Sequence, residues 1–101
     1  MRPDEYIEEV LSLVERIPAG RVMSYGAIAE YLAERSGRGS ARVVGAIMAR
    51  YGGAVAWHRV VSSSGRIVSP HRVEAQALLA AEGTPLRNGV VDMVRAEWYP
   101  D

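Results

Sequence analysis

Cysteine is absent from the 101 residues, and that absence removes disulfide frameworks, cysteine-ligated zinc and thiol nucleophiles together. Lysine is absent too, so all twelve basic residues are arginine. There is no apolar run of roughly 18 residues, the length a helix needs to cross a bilayer. The opening Met1-Arg2-Pro3-Asp4-Glu5 turns acidic at once, unlike the basic-then-apolar start of a secretory signal. A soluble, cytoplasmic protein with no membrane contact is expected, nucleoid-associated in a bacterium. Apolar residues make up 49% of the chain, enough for one core. Folding at this size removes roughly 60–70% of the unfolded surface from water. With no repeat, linker or low-complexity tract, residues 1–101 are expected to form one domain.

Net charge is lacking as well: twelve bases balance twelve acids. The balance hides a segregation. Residues 1–34 carry a net −4 and residues 74–101 a net −3, whereas residues 35–73 carry +7 with no acid at all. Those seven are Arg35, Arg38, Arg42, Arg50, Arg59, Arg66 and Arg72. A compositional bias toward arginine explains the choice of base but not the disappearance of acids. A one-sided arginine segment on a neutral chain is the footprint of a polyanion partner.

Periodicity divides the chain into short elements. Pro3, Asp4 and Glu5 suit a first helical turn, and Tyr6, Ile7, Val10, Leu11, Val14 and Ile17 recur at helical spacing before Pro18-Ala19-Gly20 ends it. Arg21-Val22-Met23 is a short extended link. Ser24 is an N-cap candidate for a second helix, with Ile28, Ala29 and Leu32 inward. Ser36-Gly37-Arg38-Gly39 is a turn, and Ser40 caps a third helix from Ala41 to about Tyr51. That helix carries an apolar stripe (Val43, Val44, Ile47, Met48, Tyr51) and a stripe of small residues (Ala41, Gly45, Ala46, Ala49). Gly52-Gly53 stops it. Val60-Val61, the serines and Arg66-Ile67-Val68 form a hairpin or an extended loop. A fourth helix after Pro70 runs through Ala75, Leu78, Leu79 and Ala81 to Gly83. A weak strand at Val90-Val91 and the tail Trp98-Tyr99-Pro100 finish the chain. The fold class is mostly α with a small β-hairpin, in the order of a winged helix-turn-helix.

Several residues bear chemistry. A small-faced helix can enter a minor groove only about 6 Å wide, and Arg42 is then the long side chain pushed toward the base stack. The same small residues also serve close helix packing. Trp57, His58 and Arg59 combine an indole for stacking with polar groups for a base edge, though an isolated tryptophan is more often a core residue. His58 and His71 lie thirteen apart with no nearby carboxylate or thiol to complete a metal site, so no metal or other cofactor is expected. His58 with Glu82 makes a base and its orienting acid, but a nucleophile is missing.

Six strings taken together resemble the C-terminal domain of O6-alkylguanine-DNA alkyltransferases, and within that group the alkyltransferase-like proteins. They are Ile17-Pro18-Ala19-Gly20-Arg21-Val22, Ser24-Tyr25-Gly26-Ala27-Ile28-Ala29, Ala41-Arg42-Val43-Val44-Gly45, Trp57-His58-Arg59-Val60-Val61, Ser63-Ser64-Gly65 and Leu78-Leu79-Ala80-Ala81-Glu82-Gly83. They keep order and spacing from about residue 4 to residue 83. The resemblance implies that Trp57 stands where the alkyltransferases place the cysteine that accepts the alkyl group. It implies a non-enzymatic sensor that binds O6-alkylguanine in double-stranded DNA from the minor groove, flips the base into a pocket and leaves it unrepaired. By the same resemblance Tyr25, Ala41, Arg42, Gly45 and Ala49 contact DNA, with Arg42 filling the vacated stack. Tyr25, Trp57, Arg59, Val60 and Arg72 line the lesion pocket, Arg66 being the alternative to Arg72 at its rim. Ala56 replaces the usual proline, and Gly52-Gly53 an asparagine-bearing hinge. Nucleotide excision repair proteins are the implied partners of a monomer. Two rival readings of the residues stand beside this one. One is a winged-helix transcription regulator of undamaged DNA, the other a lesion enzyme using His58 and Glu82.

Overall fold

Capping and glycine geometry set the helix boundaries in the computed structural model, which describes residues 3–37 and 39–100. Helix α1 runs Pro3–Arg16, with Asp4 and Glu5 in the first turn and Arg16 in the last, charges placed to suit the helix dipole. The Ser24 hydroxyl accepts the Ala27 amide at 3.0 Å and starts α2, Tyr25–Ser36. Gly37 closes α2 in the left-handed region (φ 74°), where its amide donates to the Ala33 carbonyl. Ser40 then accepts the Val43 amide at 3.2 Å and starts α3, Ala41–Tyr51. Arg38, the middle of the expected turn, lies outside the described residues.

The first apolar cluster joins these three helices. Val10, Leu13 and Val14 of α1, with Ile17 just after it, meet Ile28 and Leu32 of α2 and Val44, Ile47 and Met48 of α3. The apolar stripe expected on α3 is narrower than its sequence pattern. Val43 is 44% exposed and Tyr51 40% exposed. At about 100° per residue, Val44, Ile47 and Met48 fill the arc that faces the core and Val43 falls on its flank, whereas Tyr51 shares the arc but stands at the very end of the helix.

After α3 the chain makes two 3₁₀ turns, Gly52–Ala54 and Trp57–Arg59, and then strand β2, Val60–Val61. Strand β2 pairs in parallel with β1, Met23–Ser24, in the register Met23 with Val60 and Ser24 with Val61. Of the hairpin and the loop allowed for residues 60–68, the structure has the loop. The Ser62 amide donates to the Arg66 carbonyl at 2.9 Å, and β2 is committed to β1. The antiparallel hairpin lies elsewhere: β3, Leu86–Arg87, pairs with β4, Val90–Val91, around Asn88 (φ 54°) and Gly89 (φ 78°). Helix α4, Arg72–Ala81, precedes it, and a short α5, Met93–Ala96, follows.

A second apolar cluster gathers Val22, Val61, Ile67, Ala75, Leu79, Val91 and Ala96. The C-terminal segment is bound to the link before β1. The Val22 amide donates to Ala96, the Trp98 amide donates to Val22, and the Arg21 guanidinium reaches the carbonyls of Ala96 and Glu97. Gly65 fits this cluster because it has no side chain. At φ 86° a Cβ would stand 2.1 Å from the Val91 carbonyl oxygen, and the Val91 amide donates to Gly65. Trp57 packs against both clusters and so stands at their seam. Among the described residues no helix is long and apolar enough to cross a membrane.

Candidate nucleic-acid interface

Helix α3 turns its chemically plainest residues outward. Ala41, Ala46 and Ala49 are exposed and Gly45 is half-buried; a Cβ added at Gly45 would meet no atom within 4 Å. Arg42, in the first turn of α3, is exposed. Among the described residues no hydrogen bond or ion pair holds it. Arg50 lies two turns farther on, its guanidinium 5.6 Å from the centroid of the Tyr51 ring. A helix packed closely on its inner face and nearly smooth on its outer one can approach a narrow groove with its backbone.

Beside this face opens a cavity of about 540 Å³. Helix α3 contributes Ala41, Arg42, Gly45, Met48 and Ala49; α2 contributes Tyr25 and Gly26. Trp57 and the segment with Ser62, Ser63, Val68, Ser69 and Pro70 complete the wall. Burial raises the Tyr25 phenol above its ordinary pKa, so it stands as a neutral donor. Five of the sequence-derived site residues, Tyr25, Ala41, Arg42, Gly45 and Ala49, therefore converge with Trp57 on one cavity.

The other three stand apart from it. Val60 is buried in β2, and its amide donates to the Trp57 carbonyl. Arg72 lines a neighbouring recess of about 390 Å³ together with Arg66, so both rim candidates occupy one place. Ser62, Val68 and Ser69 line both this recess and the larger cavity. Arg59 turns toward Glu82: Nε donates to Oε1 at 3.0 Å, Nη2 to Oε2 at 2.5 Å, and Nη1 to the Ile17 carbonyl at 2.7 Å. The His58 Nε2 atom lies 3.0 Å from Glu82 Oε2. Hydrogen bonds from Arg59 first, and then the His58 contact, pull the Glu82 carboxyl down to about 2 against the opposing effect of burial. Its ionised form in turn raises Arg59.

The indole is flanked edge-on by two imidazoles, His58 with ring centroids 6.0 Å apart at 83° and His71 at 6.1 Å and 69°. His71 meets an indole fourteen positions away, a contact with no local signal in the sequence. A hydrogen bond from its amide to the Ser69 hydroxyl, at 3.0 Å, fixes the backbone there. No group of three or more metal-ligating side chains occurs among the described residues.

Comparison with known proteins gives this geometry a family. The family model of the 6-O-methylguanine DNA methyltransferase DNA-binding domain matches residues 5–84. The "DNA base-flipping protein" of Escherichia coli K12 is 31% identical over 96% of this chain and 77% of its own. "Alkyltransferase-like protein 1" of Schizosaccharomyces pombe is 42% identical over 66% of this chain and 61% of its own. Among solved structures, S. pombe Atl1 in complex with damaged DNA containing O6-carboxymethylguanine superposes with a TM-score of 0.82. That match has 32% identity and covers 99% of this chain and all of the other. A second structure of the S. pombe protein with DNA gives 0.74. The chain belongs to the 6-O-methylguanine DNA methyltransferase DNA-binding-domain family, and its relatives are the alkyltransferase-like, base-flipping proteins.

Proposed function

We propose that this protein is a non-enzymatic sensor of O6-alkylguanine in double-stranded DNA. It approaches the minor groove with the small-residue face of α3 and takes the flipped base into the cavity bounded by Tyr25, Met48 and Trp57. The observation that carries this reading is the position of Trp57 in the wall of a 540 Å³ cavity beneath that face. The resemblance to S. pombe Atl1 bound to alkylated DNA supports the same reading.

Energetics favours damaged over intact guanine. Extruding a base costs a few kcal/mol, and less when its pairing is already weak. Alkylation at O6 weakens pairing with cytosine, so the lesion lowers that cost before any protein contact forms. The aromatic and apolar wall then gains from burying the added alkyl group. Arg42, free at the edge of the cavity, supplies the side chain that fills the gap left in the stack. No thiol is present to accept the alkyl group, so lesion and protein separate unchanged. Acting as a monomer of one domain, the protein marks the site for nucleotide excision repair.

Titration of matched duplexes with and without O6-methylguanine tests the reading. Tighter binding to the alkylated duplex, with base and protein masses unaltered afterwards, is the expected result. Equal affinity for both duplexes indicates a regulator of undamaged DNA, and a released base or protein adduct indicates an enzyme.

A further inference from the structure

A part-buried polar network is one that a nucleophile-free mechanism leaves idle. The side chains of His58, Arg59 and Glu82 are 10%, 18% and 19% exposed, and four hydrogen-bonding contacts connect them to one another and to Ile17. An acid and an imidazole at 3.0 Å are an arrangement for moving a proton, yet the residue beside them is an indole, whose N–H is far too weakly acidic to be activated as a nucleophile. The arrangement does have a mechanical consequence. Glu82 caps the end of α4, Ile17 follows α1, and His58 and Arg59 share a 3₁₀ turn with Trp57. The network therefore fastens the turn that carries Trp57 to two helices at once. His58 delivers that constraint to the indole through its edge-on contact.

We propose that His58, Glu82 and Arg59 are positioning residues that fix the orientation of the Trp57 indole: Glu82 and Arg59 hold His58, and His58 holds the ring. This deepens the proposed function and rests on it only where recognition of the flipped base is concerned. The indole also meets His71, which is exposed and lies outside the network. The His71 contact can yield to a bound base, whereas the His58 contact is tied to Glu82.

A measurement on the protein without DNA tests the positioning. The chain has two tryptophans, so a Trp98→Phe background leaves Trp57 as its sole indole emitter. In that background His58→Ala is expected to raise acrylamide quenching of Trp57 about twofold while thermal unfolding stays cooperative. Glu82→Gln, which keeps an acceptor and loses the charge, is expected to raise it by less. Unchanged quenching in both variants overturns the proposal even if the melting temperature falls, because it leaves the network a structural tie only. Binding supplies the second readout. His58→Ala is expected to lower the preference for O6-methylguanine duplex several-fold with affinity for unmodified duplex retained. An intact preference despite increased quenching overturns the role in recognition. Failure of the unsubstituted protein to prefer the lesion counts against the proposed function, not against the positioning.

Discussion

Two neighbouring regions of the molecule treat their polar groups in opposite ways. In the His58–Arg59–Glu82 network every charge has a partner and little solvent is admitted. Along α3 the outer face is alanine and glycine, and among the described residues Arg42 is held by no hydrogen bond or ion pair. The residues with the richest chemistry are saturated internally, and the surface suited to a ligand is built from residues with almost none. The lesson concerns availability. A donor already bonded at 2.5–3.0 Å to a carboxylate has little to offer a base or phosphate, whereas an unpartnered arginine on a smooth helix has its whole fork free.

Substitutions that should affect one region and spare the other sharpen this contrast. The largest effect is expected from Arg59→Ala, which removes three hydrogen bonds and leaves the Glu82 carboxylate without its main partner. A loss of about 3 kcal/mol in urea unfolding is expected, since bonds to charged groups contribute about 1.5–3 kcal/mol each and partial exposure softens the sum. A loss under about 1 kcal/mol would mean that the network is a surface pair in energetic terms. Gly45→Phe should do the reverse. A Cβ there meets no atom within 4 Å, so stability should hold, while a bulky ring on the exposed face of α3 should weaken binding to any duplex about 100-fold, or ~2.7 kcal/mol. Unimpaired binding would move the DNA to another face.

Arg42→Ala comes next. Lesion affinity is expected to fall about tenfold, ~1.4 kcal/mol, with stability changed by less than about 0.5 kcal/mol. A fluorescent reporter base at the flipped site should lose signal in parallel; full flipping by the variant would remove the stack-filling role. Acid gives a smaller and more specific effect. The folded Glu82 carboxyl titrates at about 2 against an ordinary value of 4.5. A depressed carboxyl contributes stability that is complete above the ordinary value and is lost as pH falls through the folded one. Urea midpoints measured between pH 6 and 2 should therefore drop toward the acid end, and Glu82→Gln should lack that component. An identical acid profile in the variant would exclude Glu82 as its source. The smallest effect expected is in salt dependence: Arg50→Ala should reduce the slope of log affinity against log salt by about 0.9, the loss of one phosphate contact. An unchanged slope would leave Arg50 to its Tyr51 ring alone.

Much of this was readable in the chain. The caps Ser24 and Ser40 and the left-handed Gly37 follow from local hydrogen bonding and backbone sterics, which need no knowledge of the fold. The small face of α3 follows from spacing alone. Other features were not read. The β3–β4 hairpin has a local signal in Asn88-Gly89, but Leu86-Arg87 is too short and too polar to mark its first strand beside the weak strand at Val90-Val91. Pairing of β1 with β2 joins residues more than thirty positions apart, and two-residue strands carry no register information of their own. The contributions of Ser62, Ser63, Ser69 and Pro70 to the cavity come from a loop whose path is set by Gly65 against Val91. Short-range patterns do not encode that contact.

By itself the sequence determined the four longer helices, the caps of α2 and α3, the arginine-rich acid-free middle and the missing thiol, because each depends on neighbours within a few residues or on composition. Only the tertiary structure decided which arginines are spent and which are free. Arg59 is consumed by a glutamate 23 positions away and a carbonyl 42 away, while Arg42 finds no partner among the described residues. A long side chain on a spacing pattern looks the same in either case. Whether it meets a carboxylate depends on how distant segments pack, and burial of apolar surface across the whole chain fixes that packing.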